Sequence, residues 1–210
     1  MAEVPNSVIM MQKIVRVLRD PLPNQVHRLE VLRARIKAFL YYRYIFGSFG
    51  AGSYLHKPLL LLNTQHIHIG RKTTFRQGAR METVRTNPAR TPGLRIGDNT
   101  SFEQNVHIVC HNRVTIGSNV TIAHGCTIMD TSHSFEQVDE HTKIGDLVDD
   151  DDAVVEIGDG CWIGTGVTIL RNVRIGKRCV IGAHSVVLSD IPDGCVAAGV
   201  PARVIRRYLA

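Results

Sequence analysis

From Ile96 onward an aliphatic residue or Phe recurs at every sixth position: Ile96, Phe102 and Ile108, then, after two extra residues, Ile116, Ile122 and Ile128. The series stops, then resumes at Ile157, Ile163, Ile169, Ile175, Ile181 and Val187; a fainter beginning stands at Ile69, Phe75 and Met81. Gly follows the anchor at Gly70, Gly97, Gly117, Gly158, Gly164, Gly176 and Gly182. A period of six fits neither a helix nor a simple alternating strand. It fits a short strand and a corner, repeated, with each anchor pointing inward and Gly relieving backbone strain at the corner. Successive coils then join in parallel ladders about 4.8 Å apart. One hexad cannot bury its anchor alone, whereas a column of hexads builds a continuous core.

Outside the repeat the period changes. Residues 7–19 carry Val8, Met11, Val15 and Leu18 at helical spacing, with Ser7 as N-cap and Asp20-Pro21 as the stop. A second helix is predicted over about 25–45, with Val26, Leu29, Leu32, Ile36 and Phe39 as its apolar face and Arg28, Arg33, Arg35, Lys37 and Arg43 as its charge. Such a basic amphipathic helix either packs its apolar face on the body of the protein or lies on a membrane surface. Packing is the expectation, with peripheral membrane contact as the alternative. The chain thus divides into a helical extension over 1–60, a repeat body over 61–200 and a basic tail over 201–210 that is expected to form a short helix.

Composition narrows the class. With 210 residues, 44% hydrophobic and 21% charged, the chain is neither disordered nor collagen-like and is long enough for one substantial core. Aromatics at 6% and a single Trp leave that core to aliphatic residues. The formal charge is +6; setting aside the four consecutive acids Asp149, Asp150, Asp151 and Asp152 leaves +10 on the remainder. A surface of that sign favours an anionic partner. The first thirty residues lack the order of a signal peptide and no apolar stretch reaches membrane-span length, so a cytoplasmic protein is expected. Five Cys form neither zinc-ribbon spacing nor a disulfide framework. Cys126, Cys161 and Cys179 stand four residues after their anchors, where Val106, Val120, Val167 and Val173 stand elsewhere, which reads as small inward fillers. Cys110 and Cys195 fall outside that column.

The densest polar chemistry lies where the repeat fails, between Ile128 and Ile157: Asp130, Thr131, Ser132, His133, Ser134, Phe135 and Glu136, then His141 and the Asp run. Long excursions from a regular scaffold are commonly functional. This one is placed at about 134–156, with the Asp run read as a solvated loop tip rather than a metal site.

The hexads, "MDTSHSFEQ", "VEIGDGCWIGTGVTIL", "IGAHSVVLSDIPDG" and "AAGVPARVIRR" together resemble the hexapeptide-repeat acetyltransferases, closest to the maltose and galactoside O-acetyltransferase type and its polysaccharide-modifying relatives. The resemblance covers roughly residues 60–207. It implies a mainly β protein, a left-handed parallel β-helix, assembled as a homotrimer with acetyl-CoA in the groove between neighbouring prisms. His133 matches the family's catalytic His, which takes the proton of the acceptor hydroxyl as its oxygen attacks the thioester; imidazole suits that task at neutral pH. Where the family often carries an Asn that holds the acceptor, this chain has Glu103, with Asn105 two residues on. Trp162, Thr165 and Ala183 match positions that line the pantetheine arm, Leu188 and Ser189 fall near the next contact, and Arg203 and Arg206 match the basic tail that meets the CoA phosphates.

The function expected from this is acetyl transfer from acetyl-CoA to a hydroxyl of a sugar or surface-polysaccharide precursor, with an amino-sugar nitrogen as the nearest alternative acceptor. A zinc enzyme of the γ-carbonic-anhydrase type would need His107, His111, His124 or His133 as ligands, but their spacing does not reproduce that family's pattern, and no metal is expected. A nucleic-acid binder lacks both motif and aromatic platform, so no nucleic-acid partner is expected.

Overall fold

The structure, a computed structural model, describes residues 20–136 and 138–208; the helix predicted over 7–19 lies outside the described residues. Three sheets form the sides of a prism, and the chain visits them in fixed rotation. The first face holds Ser48–Phe49, Ile67–Ile69, Gly93–Ile96, Arg113–Ile116, Val154–Ile157 and Val173–Ile175. Tyr54–Leu55, Thr74–Phe75, Ser101–Phe102, Thr121–Ile122, Trp162–Ile163 and Val180–Ile181 make the second, which Cys195–Gly199 and Ala202–Arg207 complete. The third holds Leu60–Leu62, Arg80–Thr83, His107–Cys110, Thr127–Met129, Thr168–Ile169 and Val186–Val187.

The six-residue anchors stack in register. Ile69, Ile96, Ile116, Ile157 and Ile175 align on the first face. Phe75, Phe102, Ile122, Ile163 and Ile181 align on the second, with the two Phe rings stacked at 4.2 Å. Met81, Ile108, Ile128, Ile169 and Val187 align on the third. All of them are buried. Each coil therefore contributes one aliphatic or aromatic side chain from each side, the lattice that a low aromatic content requires. The first coil starts at Ser48, ahead of the boundary expected near residue 60, because Phe49, Leu55 and Leu61 already keep the period.

The glycines after the anchors have a different cause from the corner strain expected of them. None of the seven has a positive φ. A Cβ on Gly97 would stand 2.7 Å from the carbonyl carbon of Gly117, and one on Gly164 would stand 2.7 Å from the amide nitrogen of Ala183. Adjacent coils approach too closely there for any side chain. The left-handed positions fall at other corners and are filled by Asn99, Asn105, Asn119, Asn172 and His184 among others, in keeping with the tolerance of Asn and His for that conformation.

All five thiols are buried, and the corner after the first face explains three of them. Ser53 Oγ, Thr73 Oγ1 and Thr100 Oγ1 donate there to the carbonyls of Gly70, Gly97 and Gly117 in the next coil, at 2.7, 2.7 and 2.9 Å. Cys161 Sγ does the same to Gly176 at 3.0 Å, and Cys179 Sγ to Pro192 at 3.0 Å. Cys195 enters this column one coil later, four residues after Ile191, which bridges to Ile175. Burial pushes the Cys161 thiol up to about 12. A thiol reagent at neutral pH is therefore expected to find no fast-reacting group in the folded protein and all five after unfolding; a fast-reacting native thiol would contradict the packing.

At the N-terminal end the helix Leu22–Lys37 continues through one π-helical turn, Ala38–Tyr42, into Arg43–Ile45. Its packing is the reverse of the expectation. Ala34, Ala38 and Tyr42 are the buried side, while Val26, Leu29, Leu32, Ile36 and Phe39 are exposed. Tyr42 lies 5.7 Å from the Phe46 ring and 5.8 Å from the Phe49 ring, so the end of the prism is covered by aromatics that small Ala residues let the helix backbone approach. At the other end the expected short helix is a strand: Ala202–Arg207 pairs antiparallel with Cys195–Gly199. The returning chain satisfies the otherwise open hydrogen-bonding edge of the second face.

Candidate functional site

The excursion leaves the third face after Met129 and returns at Val154. Asp130 anchors the exit: it is buried, and its two carboxylate oxygens accept the backbone N–H groups of His111 at 2.6 Å and Asn112 at 2.8 Å. Burial pushes its carboxyl up while those bonds pull it down. The loop then folds back on itself. His133 forms a bridge with Val148, Ser134 N donates to Leu147 O at 3.0 Å, and Asp149 N donates to Ser132 O at 3.0 Å. The imidazole of His133 is exposed at an open cleft of about 490 Å³, lined also by Ser134, Phe135, Glu136, Asp149, Asp150 and Asp151.

The Asp run, expected as a solvated tip, is instead a clasp. Arg171, at the third-face exit of the next coil, reaches Asp149 at 2.8 Å and also pairs with Asp151. Arg90 reaches Asp150 at 3.3 Å and Asp152 at 3.0 Å, and Asn87 Nδ2 donates to Asp150 at 2.6 Å. The Ser134 hydroxyl, followed by Arg171, holds the Asp149 carboxyl below the usual carboxylate range. Two guanidinium groups distant in sequence thus fix the return strand beside His133, a convergence that local pattern does not reveal.

Glu103 and Asn105 sit elsewhere. They belong to the edge between the second and third faces, whereas His133 leaves the edge between the third and the first. Glu103 pairs with Arg76 at 2.8 Å, and Asn105 occupies a left-handed corner. Neither they nor Asp130 reaches the His133 ring within one chain. The other histidines are dispersed. His107 Nε2 lies 3.0 Å from Glu82, which Arg80 also reaches; buried His111 meets Thr86 Oγ1 at 2.6 Å; and His124 Nδ1 lies 3.4 Å from Thr165 Oγ1. Among the described residues no group of three or more His, Cys, Asp or Glu is arranged to hold a metal ion.

The residues matched to the cofactor fall into two groups. Trp162 projects from the second face, exposed, in one row with Val180, Val196 and Arg206. Thr165 and Ala183 follow at the edge toward the third face in successive coils, where His184 N donates to Thr165 O at 2.7 Å. Arg203 lies opposite Ala198, itself packed against Gly182. This edge is a track of small residues ending at the exposed Arg203, while the exposed Arg206 stands on the Trp162 row. Leu188 and Ser189 instead leave the third face on the exit edge, one coil beyond Arg171 and on the same side as His133.

A prism of stacked hexads with a His-bearing excursion and a basic final strand defines a hexapeptide-repeat transferase. The family model "Bacterial transferase hexapeptide (six repeats)" matches residues 155–189. The chain is 33% identical over 155 residues to the putative lipopolysaccharide biosynthesis O-acetyl transferase WbbJ of Escherichia coli, covering 72% of this chain and 76% of that protein. It is 43% identical over 113 residues to galactoside O-acetyltransferase of Escherichia coli, covering 54% and 53%. The chain belongs to the hexapeptide-repeat acetyltransferase family, and its body is a left-handed parallel β-helix. It spans about half the length of some curated relatives, 42% of the probable acetyltransferase Rv3034c of Mycobacterium tuberculosis and 25% of serine acetyltransferase 3 of Arabidopsis thaliana. Among solved structures, AntD, an N-acyltransferase from Bacillus cereus in complex with dTDP-4-amino-4,6-dideoxyglucose and Coenzyme A, shares the fold at 19% identity and a TM-score of 0.65, covering 80% of this chain and 87% of that one.

Proposed function

We propose that the protein transfers the acetyl group of acetyl-CoA to a hydroxyl of a sugar or surface-polysaccharide precursor in the cytoplasm, with His133 as general base. The observation that carries this reading is the exposed imidazole held at the clasped cleft, in a chain whose second face ends in the Trp162, Thr165, Ala183 and Arg203 track. The two Escherichia coli relatives described above are named for O-acetyl transfer, which favours a hydroxyl acceptor. The N-acyltransferase shares only the fold.

On this mechanism the His133 ring nitrogen removes the acceptor's hydroxyl proton as the oxygen bonds to the thioester carbonyl carbon. When the carbon–sulfur bond breaks, the imidazolium returns that proton to the departing thiolate, leaving an acetyl ester and CoA. Arg203 and Arg206 bind the phosphates, and the small residues at Thr165 and Ala183 let the pantetheine arm lie along the ladder. Glu103 and the His133 ring stand on opposite edges of one face, so a site using both takes them from neighbouring prisms; this supports a homotrimer with its clefts between subunits.

The test is a panel of neutral sugars, nucleotide sugars and amino sugars incubated with acetyl-CoA, reading free thiol and acetylated product. Ester formation supports the assignment; transfer confined to amines would overturn the hydroxyl acceptor, and no transfer to any of them would count against the reading as a whole. Arg203→Ala is expected to raise the KM for acetyl-CoA with kcat nearly unchanged, because a phosphate contact is the same in ground and transition states. An unaltered KM would remove Arg203 from the site.

A further inference from the structure

The helix at the N-terminal end of the prism turns its large apolar residues to the outside. Val26, Leu29, Leu32, Ile36, Phe39 and Leu40 are between 47% and 65% exposed. At 100° per residue they span about two-fifths of the helix circumference. Tyr41 and Tyr44 extend the patch at 51% and 72%. This is a far larger cost in exposed apolar area than scattered surface residues impose, and it is concentrated on one element.

Charge is arranged around the same stripe. Lys37 flanks it on one side and Arg28 and Arg35 on the other, Arg33 falls within its margin beside Val26, and Arg43 lies over the Phe39 and Tyr44 rings. The helix's one acid, Glu30, faces the body, where Lys57 and His56 occupy it, and Asp20 pairs with Arg28. Between the helix and the first coils opens a cleft of about 900 Å³ with Arg35, Arg43 and Lys72 in its wall and no carboxylate. Phe39 and Tyr54 stand beside those cations.

We propose that this face is a peripheral docking surface for a bilayer rich in anionic phospholipid. The apolar stripe enters the boundary between headgroups and acyl chains. Arg and Lys side chains extend to the phosphates, Tyr41 and Tyr44 sit at headgroup depth, and the cationic cleft receives a lipid headgroup. Charge decides against a second copy as the occupant, since the same patch on another chain would bring like charges together. Among the described residues no helix is long and apolar enough to cross a membrane, so the attachment is to the surface.

The experiment is co-sedimentation of the full chain with vesicles of phosphatidylcholine alone or mixed with phosphatidylglycerol. Strong partition to the mixed vesicles is expected, weakened by salt. Leu29→Ser with Phe39→Ser is expected to lower partition by on the order of 10²-fold, from the lost burial of two large side chains. Arg33→Glu with Arg35→Glu should abolish the preference for phosphatidylglycerol. Particle mass by light scattering and acetyl transfer to a soluble acceptor should stay the same in both variants, and partition is read without any turnover, so its failure is separable from that of the proposed reaction. Absence of partition by the full chain overturns the proposal, as does equal partition by the variants. A change in particle mass on the serine substitutions would assign the face to another copy and overturn it too.

Discussion

His133→Ala is expected to lower kcat by about 10²–10⁴-fold, the usual worth of a positioned general base. The imidazole is exposed and belongs to the excursion rather than to any stacked column, so its removal leaves no core cavity. Particle mass, thermal unfolding and the KM for acetyl-CoA should therefore stay close to those of the parent. The acidic limb of the rate profile should vanish with the side chain, because a protonated imidazole cannot accept the acceptor's proton. Near-normal turnover with that limb intact would reject His133, and His107, already hydrogen-bonded to Glu82, would be the next residue to replace.

Arg171→Ala carries the second largest effect. It releases Asp149 and Asp151, and with them the return strand that bridges to His133. A catalytic group displaced by about 1 Å can lose on the order of 10²-fold in rate, and a fall of that order in kcat is expected here. Arg171→Lys keeps a positive charge but not the fork that holds two carboxylates at once, so partial recovery is expected. The prism core is untouched, and the unfolding temperature should move little. Wholesale unfolding, or full activity in the Ala variant, would remove the clasp from the mechanism. Protonation of Asp149 works in the same direction but elsewhere on the pH axis. Its carboxyl is held below the ordinary range, so its contribution is fully present above the unfolded value near 3.9 and is lost only as pH falls through the lower folded one. Loss of the clasp on acidification therefore falls below the ordinary carboxylate range.

The prism was legible because each coil repeats one demand. Ile96, Phe102 and Ile108 face the same interior as Ile116, Ile122 and Ile128, so the period survives even where coils carry extra residues. Features that depend on one residue meeting another far along the chain were not legible. Arg90 and Arg171 meet the Asp run only because the coils stack, and nothing in the local composition of either segment announces it. The helix departs from its expected packing for a related reason. Periodicity identifies an apolar face but not which face the body receives, and Tyr42, Phe46 and Phe49 had already covered the end of the prism. The tail "ARVIRR" suits helix and strand alike, and the open edge beside it decided the outcome. Cys195 lies off the count of six because the last coil is shortened, which leaves the column itself unbroken.

Ile116 pairs with Ile157 in the same way as Ile96 pairs with Ile116, although the excursion lies within the first interval and not the second. The ladder closes beneath the excursion as though it were not there. Mutational drift in residues 131–152 is therefore decoupled from the folding of the scaffold, apart from the two arginines that hold the loop down. With His133 kept, the rest of the segment is open to exchange without disturbing the ladder, and loops can be grafted between relatives at the same two splice points.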